Sequence, residues 1–315
     1  MVFEDLRKII DTNLLPIIGK RVVLLEVPYY LNIGDLLIWK GELEFLKRNK
    51  KEVLYSSSSY NMDFSKKIDS NVTILLQGGG NFGDLWKEPH DFRKKVIEQY
   101  PKNKIVIFPQ TIFYTEEKAL LEDVEFFSKY RNVIICARDE RSYNILQKNF
   151  VNKSLLLPDM AFYININTHI LNKSERVLYA QRLDEESLKE MSFKGIPQNA
   201  EIHDWPTFEG LRNVSSFLSY ITRCAQIVDR LCGTKLCIKI TDYYWLKIRM
   251  PKFIQIGIDF INEYGVIYTT RLHIGILGLL LGKQVFFLDN SYGKLSGFYN
   301  SWLKNIKNAS LVDNE

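Results

Sequence analysis

A chain of 315 residues, 46% hydrophobic and 25% charged, carries the apolar material for two cores, which excludes a disordered or membrane-embedded protein. Its net charge of +5 is too mild for a dedicated nucleic-acid binder and leaves an acidic small ligand or an anionic membrane surface as partners. Four cysteines without a C-x-x-C pair, in apolar surroundings, predict reduced core thiols, and four scattered histidines give no ligand spacing, so no metal is expected.

The charged opening Met1-Val-Phe-Glu-Asp-Leu-Arg7 reads as neither signal peptide nor anchor and predicts a cytoplasmic protein. A helix over 2–13 leads into the apolar run 21–27, a buried parallel strand. The turn after it carries Asn32, Gly34 and Asp35 to the C-terminal edge of that strand, where open α/β sheets bind ligands. Asp35 is there either to cap the next helix or to touch a ligand. That helix ends in the basic run 47–51, whose charge complements the helix dipole.

A weak strand at 53–55 and a serine-rich loop precede the buried strand 72–76, which opens into Gln77-Gly-Gly-Gly-Asn-Phe-Gly-Asp84. Glycines 78, 80 and 83 formally satisfy the dinucleotide fingerprint. The motif follows an inner strand, however, and the next strand, 105–108, ends in Pro109-Gln110 with no acid to hold a ribose. What remains is a loop of little bulk in which Gly79 and Gly80 let a ligand approach the backbone, with Asn81 and Asp84 on its rim; the other reading is a purely structural glycine turn. Helices over 91–100 and within 116–129 alternate with strands at 105–108 and 132–136. Arg138 then opens a helix, either facing a ligand from the strand end or forming a surface salt bridge with Asp139 or Glu140. A short strand at 155–159 closes this half, and a polar stretch beginning at 165 reads as a linker.

The second half restarts with a strand at 176–180, a polar stretch with a short strand at 201–203, a helix over 213–231, a strand at 235–239 and a helix over 244–263. The strand 265–268 then runs into Thr269-Thr-Arg-Leu-His273, an apolar helix and the strand 284–289, a βαβ unit. Thr269 or Thr270 can cap that helix, leaving its first N–H groups to an anion beside Arg271. From 274 to 281 the helix is apolar on every face, so it is expected to be buried, and at about a dozen residues it is too short to span a bilayer. Arg271 and His273 are either a ligand site at a strand end or a core pair satisfied by carboxylates. Residues 292–303 are expected to be helical.

Taken in order, Asn32-x-Gly-Asp35, Gln77-Gly-Gly-Gly80 with Asp84, Phe108-Pro-Gln110, Ala137-Arg-Asp-x-x-Ser142, Pro158-Asp159 and Thr270-Arg-Leu-His273 with Leu281-Gly-Lys283 resemble the polysaccharide pyruvyl transferase family over almost the whole chain. The resemblance implies an α/β fold of two Rossmann-like domains facing a cleft, as in GT-B glycosyltransferases, with parallel sheets flanked by helices. The domains would be 1–165 and 176–290, joined by a linker at 166–175, with a helix within 291–315 packing back toward the cleft. It implies transfer of a pyruvyl group from phosphoenolpyruvate to two sugar hydroxyls, forming a cyclic ketal on a bacterial surface polysaccharide or its lipid-linked precursor. No cofactor is implied beyond phosphoenolpyruvate as co-substrate. By the same resemblance His273 is catalytic, and Arg138, Arg271, Leu272, Gly79 and Gly80 bind the donor. Asn32, Asp35, Asn81 and Asp84 are acceptor-side residues by position. Peripheral contact with the inner membrane surface is implied as well.

The chemistry of the residues agrees. Phosphoenolpyruvate carries a carboxylate and a phosphate, both suited to bidentate arginine, and two arginines, one per domain, would clamp it. Ketal formation needs a proton on the methylene carbon, for which His273 is the candidate acid. A helix N-terminus lowers a histidine pKa, whereas a bound dianion raises it, so protonation is tied to the donor. Trp86, Trp205 and Trp245 either stack on sugar faces or pack in the core. Two rivals remain: a nucleotide-sugar glycosyltransferase of the same architecture, and a non-catalytic anion-binding protein of a polysaccharide assembly complex.

Overall fold

The computed structural model describes residues 3–166, 174–181, 196–209, 212–289 and 294–312. The chain divides into two compact units. The first comprises Met1–Pro28, Ile38–Asn165 and Asp289–Leu311; the second comprises Tyr29–Leu37, Ile166–Leu288 and Val312–Glu315.

In chain order the first seven strands are β1 (Arg21–Leu25), β2 (Glu52–Ser57), β3 (Thr73–Leu76), β4 (Gly79–Gly83), β5 (Ile105–Phe113), β6 (Val133–Ala137) and β7 (Lys153–Leu156). Five helices accompany them: α1 (Phe3–Leu14), α2 (Ile33–Arg48), α3 (Lys87–Gln99), α4 (Glu117–Ser128) and α5 (Glu140–Asn149). The sheet order is β2-β1-β3-β5-β6-β7, with β4 also paired to β5, and every pairing is parallel. Strands that are buried on both faces read as unbroken apolar runs, which is why Val22 to Leu25 and Ile74 to Leu76 were legible. Alternate residues divide between the two faces. Ile105 and Ile107 meet Val96, Ile97, Phe127 and Leu146 from α3, α4 and α5. Phe108 receives the edge of Phe45 from α2. The chain turns direction between β1 and β3, the switch point at whose strand ends ligands usually bind.

The expected glycine loop is instead β4, a short strand laid against β5. Glycine-rich backbone has no side chains to keep it from a neighbour, so its N–H and C=O groups can join the ladder. The C-terminal tail forms α11 (Lys294–Phe298) and a π-helical turn, Tyr299–Leu303, within the first unit, where Phe298 stacks on Phe162. Its first expected residue, Tyr292, lies outside the described residues.

The second unit contains β8 (Val177–Ala180), β9 (Glu201–His203), α6 (Pro206–Glu209), α7 (Arg212–Cys232), α8 (Leu236–Tyr244), α9 (Met250–Asn262), β10 (Val266–Thr269), α10 (Leu272–Leu280) and β11 (Gln284–Leu288). Its sheet runs β11-β10-β8-β9, every pairing parallel, and a further short strand, β12, covers Ala309–Val312. The interior strand β10 feeds α10, whose residues Ile274 to Leu280 are all buried, as the uniformly apolar sequence predicts. Most of the expected linker, 167–173, and most of the polar stretch, 182–195, lie outside the described residues.

One expected strand is overturned. Residues 235–239 begin α8, not a strand. Gly233 closes α7 with φ +62°, and the Asp229 carboxylate accepts from the Thr234 hydroxyl (2.7 Å), the Cys237 N–H (3.0 Å) and the Ile238 N–H (2.8 Å). A helix start satisfied in this way overrides the β preference of Leu-Cys-Ile. The helix expected over 244–263 is a π-helical turn, Trp245–Arg249, followed by α9. The expectation of core thiols holds for Cys136 alone, since Cys232 is exposed at the end of α7. Trp205 and Trp245 are core residues and Trp86 is exposed. Among the described residues no helix is long and apolar enough to cross a membrane. Asp229→Ala should release the start of α8, speeding amide exchange at Cys237 and Ile238 on the order of tenfold while leaving α10 amides unchanged. Hydrogen exchange followed by mass spectrometry checks this.

Candidate functional site

In the second unit β10 delivers Arg271 to the N-terminus of α10, where it is itself the capping residue, with extended backbone. The expected threonine cap is absent. Thr269 Oγ1 accepts from the Arg271 N–H at 2.9 Å, so the hydroxyl fixes the turn before the helix rather than the helix's own N–H groups. The Arg271 guanidinium is buried: Nη2 donates to Asp204 Oδ2, Nε lies against Oδ1, and the Phe208 ring stands 5.0 Å below it. Asp204 is only 1% exposed, so the pair aligns the fork inside the protein rather than on a mobile surface.

His273 lies half-buried in the first turn of α10, and Leu272 precedes it. The histidine ring packs on Gly34, where an added Cβ would stand 2.7 Å from Nδ1. Residues 29–37 reach this place because they are tied into the second unit. Thr207 Oγ1 donates to Leu31 O at 2.7 Å, and Tyr29 stacks on Trp245 at 5.2 Å and bonds Asp242. Asn32 caps α2: its Oδ1 accepts from the Gly34 N–H at 3.1 Å and its Nδ2 donates to Asp35 Oδ2 at 2.8 Å. Asp35 therefore serves the capping residue and is not the cap. Asn32, Gly34, Asp35, Arg271, Leu272 and His273 thus belong to one unit although the sequence sets them far apart.

In the first unit β6 delivers Arg138. It is buried and forms no pair with Asp139 or Glu140; Nη1 donates to Asp159 Oδ2 at 2.8 Å and Nε to Thr111 Oγ1 at 2.8 Å. The surface salt bridge is thereby corrected: Asp139 is occupied as the cap of α5, accepting from the Ser142 N–H at 2.8 Å. Ser142 Oγ in turn accepts from Ile112 N at 2.8 Å, and Trp302 Nε1 donates to the Arg138 carbonyl at 2.7 Å. Arg138 Nη2 comes so near Gly80 that a Cβ there would stand at 3.1 Å, so the glycine leaves room for the guanidinium.

Beneath the glycines lies a buried charged layer that the sequence reading missed. Arg93 Nε donates to Glu26 Oε2 at 2.9 Å, and Nη2 to Asn81 Oδ1 at 2.6 Å. Glu42 Oε1 accepts from the Gly78 N–H at 2.8 Å. Burial pushes the Glu26 carboxyl up to about 7 against the pull of Arg93, and pushes Glu42 well above the usual carboxylate range against the Gly78 N–H. Asn81 is thus held by Arg93. Asp84, at the far end of β4, accepts from Thr115 N (2.8 Å), Thr115 Oγ1 (2.6 Å) and Glu116 N (2.9 Å), anchoring the start of α4. One missed partner had a signal in the sequence: a single acid inside an apolar run, as in Leu24-Leu-Glu-Val27, must be buried with a partner.

Among the described residues no group of three or more His, Cys, Asp or Glu could hold a metal ion. Each unit offers one oriented guanidinium after a parallel strand, chemistry that suits an anionic ligand, and the second unit adds a histidine, a group capable of proton transfer.

Two outcomes follow. Glu26 and Glu42 hold protons more tightly folded than unfolded, so the stability they lend is fully present below about pH 4.5 and fades as pH rises through their folded values. Glu42→Gln keeps an acceptor for Gly78 and removes the ionisation, so urea midpoints should fall less between pH 5 and pH 8 than in wild type. Gly34→Ala gains helix propensity but displaces the His273 ring, so turnover should fall on the order of 10–100-fold with little change in melting temperature.

A sequence model of the polysaccharide pyruvyl transferase family matches residues 32–292. EpsO of Bacillus subtilis, provisionally named a pyruvyl transferase, is 33% identical over 306 residues, covering 96% of this chain and 92% of its own. Pyruvyl transferase 1 of Schizosaccharomyces pombe is 27% identical over 301 residues, covering 90% of this chain and 70% of its own. A crystal structure of an uncharacterized protein from Klebsiella pneumoniae shares the fold with a TM-score of 0.64 at 22% identity, over 100% of each chain.

Proposed function

This chain belongs to the polysaccharide pyruvyl transferase family, and we propose that it moves a pyruvyl group from phosphoenolpyruvate onto two hydroxyls of one sugar in a surface polysaccharide or its precursor. Membership makes it a transferase; the donor and the ketal product are the reading argued here. The observation that carries it is Arg271, aligned by the buried Asp204 at the N-terminus of α10, two residues before His273. A dianionic donor is matched by a planar fork and by the exposed N–H groups of a helix start.

His273 delivers a proton to the methylene carbon of the donor, and the adjacent carbon becomes electrophilic. One sugar hydroxyl adds there and loses its proton. The carbon–oxygen bond to phosphate then breaks, and a second hydroxyl closes the ring. Of the two hydroxyl protons, one balances the proton placed on carbon and the other leaves on inorganic phosphate, so no oxidant or reductant is needed. Asn32 and Asp35, on the turn whose Gly34 packs against the His273 ring, are the acceptor-side groups this reading favours. Arg138, held by Asp159 as Arg271 is by Asp204, is assigned to the donor with Gly79 and Gly80 beside it.

Calorimetric titration of phosphoenolpyruvate in EDTA tests the assignment. Wild type should bind saturably. Arg271→Lys and Arg138→Lys, which keep charge beside the carboxylate but remove the fork, should each weaken binding at least about tenfold. His273→Gln should keep donor binding while turnover drops on the order of 10²–10⁴-fold. Binding of UDP or GDP in place of phosphoenolpyruvate would replace this function with glycosyl transfer.

A further inference from the structure

An amphipathic helix normally turns its apolar face to the core, yet α8 and the C-terminal part of α7, from Tyr220 on, leave large apolar side chains in solvent. None of the nine residues of α8 is buried, and Leu236, Ile240 and Tyr243 are 60% exposed or more. On α7, Tyr220, Ile227, Val228 and Leu231 are exposed as well, Leu231 to 81%. These positions recur at helical spacing, 220, 227 and 231 on one helix and 236, 240 and 243 on the next, so each helix carries a continuous apolar stripe. The side chain on the inner side of the turn is polar: Asp229 is buried there and caps α8. A soluble monomer rarely exposes so much contiguous apolar surface without a use for it.

Charge identifies the use. Between 212 and 252 the sequence has eight Lys and Arg against two Asp, a net +6, whereas the whole chain carries +5. The remainder is close to neutral. Arg223, Arg230, Lys235, Lys239 and Lys247 are exposed among the apolar residues. Leucine, isoleucine and tyrosine interleaved with cations is the composition of helices that lie in the interface of an anionic bilayer, the apolar side entering the acyl boundary and the cations meeting phosphate headgroups. The segment cannot span, since no helix among the described residues is long and apolar enough to cross. We propose that the α7–α8 hairpin is a peripheral docking surface for an anionic phospholipid bilayer. The proposal does not depend on the reaction assigned above, and none of these residues belongs to the donor or acceptor groups.

Flotation of the full chain with vesicles tests it. Wild type should float with vesicles of about 30 mol% phosphatidylglycerol and stay unbound with pure phosphatidylcholine. Binding should weaken on the order of 10²-fold in Lys235→Glu/Lys239→Glu, and by a similar factor in Leu231→Glu/Ile240→Glu. Phosphoenolpyruvate titration of both variants should match wild type, which separates loss of docking from loss of the donor site or of the fold. Absence of wild-type flotation, or equal flotation with both lipids, overturns the proposal. So does a dimer, seen by light scattering, that the leucine–isoleucine variant dissolves, because the stripe is then covered by a second copy.

Discussion

A guanidinium at the end of a buried strand needs a buried carboxylate to hold it, and both units are built around that requirement. Arg138 follows β6 and is held by Asp159; Arg271 follows β10 and is held by Asp204. An isolated buried charge is prohibitively expensive, whereas a paired and hydrogen-bonded one is tolerated. The pairing also removes rotamer freedom from a long, flexible side chain in each unit. What the protein gains is direction: a fork whose orientation is set before any ligand arrives. Such pairs are weak devices for stability, so their place at strand ends fits the ligand-positioning role proposed for them.

Beside Arg138 and beside His273 a glycine sets the closest approach. Gly80 admits the Arg138 guanidinium, and Gly34 admits the His273 ring. The surrounding polar groups are committed to backbone. Asp139 caps α5, Ser142 takes Ile112 N–H, Asn32 caps α2 and Asp84 anchors α4. The same motifs therefore also hold strand-to-helix turns in place.

This division explains what could be read from residues alone. The parallel strands were legible because burial on both faces leaves an unbroken apolar run, as in Val22 to Leu25 and Ile74 to Leu76. The positions of Arg138 and Arg271 followed from their place after such strands. Their partners were not legible, since Asp204 precedes Arg271 by 67 residues and no local pattern links them. Glu26, Glu42 and Arg93 were missed for the same reason: a buried ionic layer is defined by contacts among the residue that follows β1, α2 and α3 that no sequence period records. The glycine run was misread as a loop because its pairing with β5 uses backbone alone.

Apolar content by itself did not separate α10 from α8, and the comparison shows what does. Both helices are short and rich in leucine, isoleucine or aromatic residues. From Leu272 to Leu280, however, α10 has no charged residue apart from a titratable histidine in its first turn, and every position beyond that turn is buried. In α8 Lys239 and Asp242 interrupt the apolar residues, and Lys235 and Lys247 flank them. A cation every turn cannot enter a protein core without a carboxylate for each, and only Asp229 and Asp242 are present between 212 and 252. The same leucines that mark a core in one helix therefore mark a surface in the other, and charge spacing, not hydrophobicity, decides which.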